Sequence, residues 1–216
     1  MRTSAGKGKI VIISSPSGGG KTTICRHLLK KNPEWRFSIS YTTRAGRAEE
    51  VDGREYHFVD KMEFMKLRRQ GFFAESALVH RYYYGTPRKP LEGTVKKGGV
   101  ILLDVDVKGA FSIKKKYPQA LSIFLLPPDV EELKKRQALS VLEKRLKRRG
   151  TETKAQLAVR LKNAIAEMGK FNCFDYIIIN ENINVAVSAA DHMIKSWTVG
   201  VTYFGRNRSK AYSVFE

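Results

Sequence analysis

Cysteine is scarce in this 216-residue chain: Cys25 and Cys173 are the only two. Neither stands at metal-ligand spacing, which argues against a zinc site and a disulfide framework. Both read as free thiols of a reducing compartment. Long apolar runs are missing as well. Residues 10–13 are too short for a signal-peptide core and nothing approaches a membrane span, so the expected setting is the cytoplasm, with no membrane association. Acid is in short supply: 21 Asp and Glu face 40 Lys and Arg, a formal net charge of +19. That imbalance suits an enzyme of phosphorylated substrates and suits a nucleic-acid binder equally well. Much of it lies in one segment, where Lys134, Lys135, Arg136, Lys144, Arg145, Lys147, Arg148 and Arg149 have Glu143 as the only acid among them. A solvated helix face has the same composition, and weak, salt-sensitive, nonspecific polyanion binding is what such a stretch is expected to show. The length is that of one globular unit with enough core to need no staples; it is compatible with a homo-oligomer and does not set the oligomeric state.

What is present begins at Ser14-Ser15-Pro16-Ser17-Gly18-Gly19-Gly20-Lys21-Thr22-Thr23. The β-branched run Ile10-Val11-Ile12-Ile13 precedes it and reads as a buried strand; Ile24-Cys25-Arg26-His27-Leu28-Leu29 follows and reads as a helix. Strand, glycine loop, Lys-Thr and helix make the context of a phosphate-binding P-loop. Residues 15–23 are therefore the expected nucleotide-binding segment. Glycines let the loop's amides converge on phosphate oxygens at a helix N-terminus, where the helix dipole favours anions. Lys21 is expected at the β- and γ-phosphates, and Thr22 to offer its hydroxyl to Mg²⁺. The strict motif has glycine where this chain has Ser15. A flexible glycine turn that happens to precede a lysine is the bland alternative, and the strand-to-helix context weighs against it.

Further along, residues 37–41 alternate as a strand, 42–53 read as loop, 54–59 alternate again, and 61–70 carry a helical rhythm. Residues 72–79 and 82–84 read as short strands, so a small β-rich insertion follows the first helix. Val100-Ile101-Leu102-Leu103-Asp104-Val105-Asp106 is an apolar strand ending in acids, the pattern of a buried parallel strand with ligands at its C-terminal end. Residues 121–126 form another strand. Asp129 is expected to cap a helix running to about Arg149, Gly150-Thr151 to break it, and a second helix to span 153–170. Residues 176–180 are a last core strand, and the segment from Trp197 has no placement. Alternating strands and helices imply an α/β fold with a parallel sheet and flanking helices.

The order of motifs resembles the guanylate kinase family. The likeness is carried by Ser38-Ile39-Ser40-Tyr41-Thr42-Thr43-Arg44 with Arg47, by Val51-Asp52-Gly53-Arg54-Glu55-Tyr56-His57-Phe58-Val59, by Phe73-Ala74-Glu75 and by Tyr83-Tyr84-Gly85-Thr86. Leu103-Asp104-Val105-Asp106 and Arg145-Leu146-Lys147-Arg148-Arg149-Gly150-Thr151-Glu152 continue it, so that it covers roughly residues 9–195. The resemblance implies ATP:GMP phosphotransfer with Mg²⁺, on a P-loop core (8–36, 98–135, 170–195) with a β-rich GMP-binding lobe (37–97) and a helical lid (136–169); residues 196–216 stay unassigned. It implies that Arg44, Arg47, Tyr56 and Tyr84 hold the GMP phosphate, and that Ser40, Glu75, Thr86 and Asp106 read guanine. It makes Arg145, Arg149 and Arg160 the lid arginines acting with Lys21, and sets Asp104 beside Mg²⁺ or its waters.

The departures are Ser15, Gly46 in place of a common proline, Glu49 in place of a common glycine near the phosphate site, and Lys108 in place of a usual glutamine. The segment between Pro128 and Gly150 is longer than the family pattern, which leaves Arg136 as an alternative to Arg145. Three other readings stay open: a protein-binding scaffold module of the same fold, a kinase of another acceptor such as AMP or dGMP, and a nucleic-acid binder.

Overall fold

The computed structural model describes residues 8–128, 135–147 and 154–200. Nine strands and seven α-helices occur among them. The strands are β1 (Lys9–Ser14), β2 (Arg36–Phe37), β3 (Ser40–Thr42), β4 (Tyr56–Phe58), β5 (Phe73–Val79), β6 (Tyr82–Pro87), β7 (Val100–Asp104), β8 (Leu121–Leu126) and β9 (Tyr176–Ile179). The helices are α1 (Lys21–Lys31), α2 (Lys61–Arg69), α3 (Arg88–Lys96), α4 (Val107–Lys116), α5 (Lys135–Lys147), α6 (Lys154–Met168) and α7 (Ile183–Thr198). No described helix is long and apolar enough to cross a membrane.

One sheet runs β2-β7-β1-β8-β9 with every pairing parallel. Side chains alternate across a strand, so β1 feeds two cores. Ile10 and Ile12 face Leu91 of α3, Ala110 and Ile113 of α4, Leu142 of α5 and Ala164 of α6. Val11 and Ile13 face Ile24 and Leu28 of α1 and Ala186, Ala190 and Ile194 of α7. The chain leaves β1 toward β7 on one side and returns to β8 on the other. That switch opens a crevice at the carboxyl ends of β1 and β7, where ligands of such sheets bind.

A second sheet, ordered β4-β3-β6-β5, carries α2 and a small aromatic core of its own. Phe64 of α2 is fully buried and stacks on Phe73 and Tyr83 at centroid distances of 4.7 and 5.5 Å. The alternating run at 37–41 does not form the single strand its pattern suggests. It splits after Phe37: β2 pairs with β7 in the first sheet, while β3 pairs with β4 and β6 in the second. Alternation reports two-faced burial and is blind to which sheet supplies each face. The strand expected at 100–106 ends at Asp104, and Asp106 instead caps α4. The expected cap Asp129 and the tail from 201 onward lie outside the described residues.

Asp191 of α7 pins that helix to α1. Its carboxylate is buried and accepts from Asn32 Nδ2 at 2.8 Å, with Lys31 Nζ at 2.9 Å and Lys195 Nζ at 3.1 Å. Burial alone would raise this carboxyl's pKa, but the three donors outweigh it and hold the pKa below the ordinary aspartate value. A depressed acid contributes stability at neutral pH that is lost as pH falls toward its folded-state pKa. Asp191→Ala is expected to cost about 2 kcal/mol at pH 7, below the ~3–5 kcal/mol of a fully buried pair because both lysines reach solvent. Urea unfolding checks this, and the gap between wild type and variant should narrow as the pH falls below the ordinary aspartate range toward the carboxyl's depressed folded-state value.

Candidate active site

The loop between β1 and α1 is built by backbone rather than by side chains. Gly18 and Gly20 sit at φ of 84° and 96°, in the left-handed region that L side chains avoid. A Cβ on Gly20 would stand 2.5 Å from Asn180 Nδ2. That amide follows β9 and donates to Gly19 O at 2.9 Å, locking the loop from behind. Ser15 acts as a prop: it is buried and donates through Oγ to Pro16 O at 2.8 Å. Lys21 Nζ rests 3.3 Å from Ser15 Oγ and 3.4 Å from Ser15 O. The N-terminus of α1 has no side-chain cap, so its first amides face the loop's concavity.

At the end of β7, Asp104 Oδ2 accepts from Thr22 Oγ1 at 2.7 Å. A hydroxyl that gives its proton to a carboxylate keeps lone pairs for a hard cation. Two oxygen donors of this kind fit Mg²⁺, which takes one or two protein ligands and completes its shell with water and phosphate. No cluster of three or more His, Cys, Asp or Glu suited to a metal occurs among the described residues.

Across the crevice, the second sheet and its loop bring up two arginines. Arg44 Nη2 donates to both oxygens of Glu50 at 2.8 and 2.9 Å, and Arg47 donates to the same carboxylate through its backbone N at 2.9 Å. The Arg44 guanidinium lies 5.5 Å from the Tyr56 ring, and Tyr56 meets Tyr84 edge-on at 5.9 Å. Burial lowers the Arg44 pKa, but Glu50 and Tyr84 overcome that and leave it raised, so the cation is held firmly.

Deeper in, Thr86 Oγ1 donates to Glu75 Oε1 at 2.6 Å, and Asp106 Oδ1 accepts from Gly109 N at 2.9 Å as the cap of α4. A Cβ on Gly109 would stand 3.0 Å from Asp106 Oδ1 and 3.4 Å from Glu75 Oε2, so the two carboxylates converge over that glycine. Burial pushes the Glu75 carboxyl up to about 7; Thr86 opposes the rise and Asp106 adds to it.

These groups line one cleft of about 420 Å³. Ser15, residues 17–23, Ser40, Arg44, Arg47, Tyr56, Glu75, Tyr84, Asp104, Asp106 and Arg160 are all on its wall. Pro16 and Thr86 stand behind the wall and support it through Ser15, Gly19 and Glu75. Arg145 departs from the expected lid position. It does not line the cleft, and its Nη2 donates to Asn180 O at 3.1 Å behind the P-loop, because α5 packs Leu142 and Leu146 against Gly18. Arg149 lies outside the described residues.

Four residues enter that the sequence did not single out. Glu50 ties the arginines, and Asn180 braces the loop. Glu167 of α6 accepts from Ser17 N at 3.2 Å, and burial raises its carboxyl pKa against the pull of Lys21. His80, at the β5–β6 hairpin tip, stands 3.5 Å from Ser17 Oγ and 3.3 Å from Asn163 Nδ2 of α6. The positive φ of His80 and Arg81, 47° and 74°, gives this tip its tight reversal. None of the four carries a local sequence signal for its contact.

The sequence profile of the family described as guanylate kinase matches residues 7–197. The guanylate kinase of Carboxydothermus hydrogenoformans is 40% identical over 182 residues, 84% of this chain and 85% of the relative. That of Thermotoga maritima is 40% identical over 204 residues, 94% of this chain and 93% of the relative. The crystal structure of guanylate kinase from Anaplasma phagocytophilum superposes with a TM-score of 0.73 at 33% identity, covering 89% of this chain and 87% of that one. With a phosphate loop, a facing arginine pair and converging carboxylates in one cleft, and with these matches along nearly its whole length, the chain belongs to the guanylate kinase family.

Proposed function

We propose that the chain transfers the γ-phosphoryl group of ATP to GMP or dGMP, giving ADP and the nucleoside diphosphate. One observation carries this reading: a P-loop and a two-arginine anion site open into the same cleft, with two carboxylates at its base end. Guanine presents adjacent donors at N1 and N2, which a carboxylate accepts together. Adenine presents an acceptor at N1 and would leave that carboxylate unpaired. The intact loop geometry favours an enzyme over a protein-binding module of the same fold.

In this reading the loop amides and Lys21 hold the β- and γ-phosphates of ATP, and Arg160 supplies charge from α6. Arg44, Arg47, Tyr56 and Tyr84 hold the acceptor phosphate in line. Positioning and electrostatics carry such transfers, with no covalent intermediate. Thr22 and Asp104 would hold Mg²⁺, which when bound neutralises charge on the phosphates. Closure of the cleft excludes water that would otherwise hydrolyse ATP.

An ADP-release assay with ATP against GMP, dGMP, AMP, CMP and UMP tests the proposal. GMP is expected to exceed AMP by about 10⁴-fold or more in kcat/KM, the range for sites that leave a buried polar group unpaired with the wrong substrate. A preference for AMP would overturn the guanylate reading. ADP release independent of any monophosphate would overturn the kinase reading.

A further inference from the structure

Loop residues 43–55 contain no helix and no strand, yet they carry both arginines of the acceptor-phosphate site. One side chain organises them. Glu50 is 9% exposed and receives Arg44 Nη2 on both oxygens, Arg47 N on Oε2 and Arg47 Nη1 on Oε1 at 3.5 Å. Its own backbone N donates back to Arg47 O at 3.0 Å, closing the turn. Arg44 is tied further, through Nη1 to Ala45 O at 2.6 Å.

We propose that Glu50 is a positioning residue of the acceptor-phosphate site, an internal anion that holds Arg44 and Arg47 together before the phosphate arrives. This rests on the reading of that site as the seat of a nucleoside monophosphate. Two guanidinium groups brought to one point repel each other and lose rotamer freedom. A phosphate that had to assemble them would bind more weakly by that cost. A resident carboxylate meets the cost on folding, and the preorganised pair binds phosphate more tightly for it. Glu49, the neighbouring acid, is exposed and makes none of these arginine contacts.

Binding of GMP and of guanosine, measured by calorimetry on wild type, Glu50→Ala and Glu50→Gln, tests the proposal, with steady-state kinetics alongside. Glu50→Ala is expected to weaken GMP about 30-fold or more and Glu50→Gln about 5- to 10-fold, the ordering of two long side chains being shifted onto the binding step. The loss should appear in KM for GMP, with kcat at saturation within about 3-fold and KM for ATP unchanged. Guanosine, which has no phosphate, should bind all three proteins equally. Equal weakening of guanosine and GMP would overturn the proposal, since Glu50 would then support the lobe as a whole. Tighter GMP binding by Glu50→Gln would overturn it too, marking Glu50 as a competitor of phosphate. If Glu50→Ala does not fold, the Glu50→Gln comparison decides alone. Wild-type protein that binds guanosine but shows no gain from the phosphate of GMP would overturn the acceptor-site reading itself.

Discussion

Replacing Lys21 with methionine is expected to lower kcat by about 10³-fold, at the upper end of what one preorganised charge donor supplies to a transition state. The ammonium is placed by Gly20 and the first turn of α1, and among the described residues its hydrogen bonds are the two long ones to Ser15, at 3.3 and 3.4 Å. Such contacts add little to folding. Thermal or urea unfolding of Lys21→Met should therefore stay within about 1 kcal/mol of wild type. Methionine keeps the length of the stem and removes only the charge. A large fall in kcat with unchanged stability separates a chemical role from a structural one. Turnover near the wild-type rate would sink the P-loop assignment, whatever the loop's geometry.

Glu75→Gln is expected to lower kcat/KM for GMP by about 10²-fold, about 2.7 kcal/mol, with a much smaller change for AMP. The amide retains size and the bond from Thr86, but one acceptor oxygen becomes a donor and opposes guanine's N–H groups. Equal losses for GMP and AMP would show that Glu75 props the lobe instead of reading the base. The same residue sets a pH dependence. Burial disfavours the anion and pushes its carboxyl up to about 7. Guanine needs the anion, so below pH 7 each GMP bound must expel a proton. GMP affinity should then fall by up to tenfold per pH unit below 7 and level off above it. The Gln variant lacks this proton and should lose that part of the slope, keeping only the part that belongs to the phosphate of GMP. Proton release measured by calorimetry in buffers of different ionisation enthalpy checks the sign directly.

The readings that hold from sequence alone share a property: their signal is local. Residues 10–22 place strand, loop, lysine and helix next to one another, and contiguity makes the phosphate loop legible. The apolar runs at β7, β8 and β9 are buried on both faces and read as core strands without further context. Helices α3 and α4 are not legible in the sequence because their local signals conflict. Pro90 and Gly93 interrupt α3, Gly109 sits in the first turn of α4, and only packing against the core overrides those residues.

Glu50 shows the limit most plainly. The stretch from Arg44 to Glu55 holds acids and bases at close intervals, and the sequence drew attention to Glu49 as the acid by the phosphate site. Both acids reach the cleft, but the turn closed by Arg47 and Glu50 aims Glu50 at the arginines. Asn180 lies 161 residues from the glycine it braces, and that bond exists only because β9 lies beside β8, which lies beside β1. The sequence by itself determined the α/β class, the phosphate loop and the residue types of the cleft, since periodicity and adjacent motifs are written within single elements. Tertiary structure alone decided which acid meets which base, that Arg145 turns to Asn180 O, and that one alternating run serves two sheets. Those outcomes depend on strand order and on helix packing, which bring together side chains whose separation along the chain carries no record of their contact.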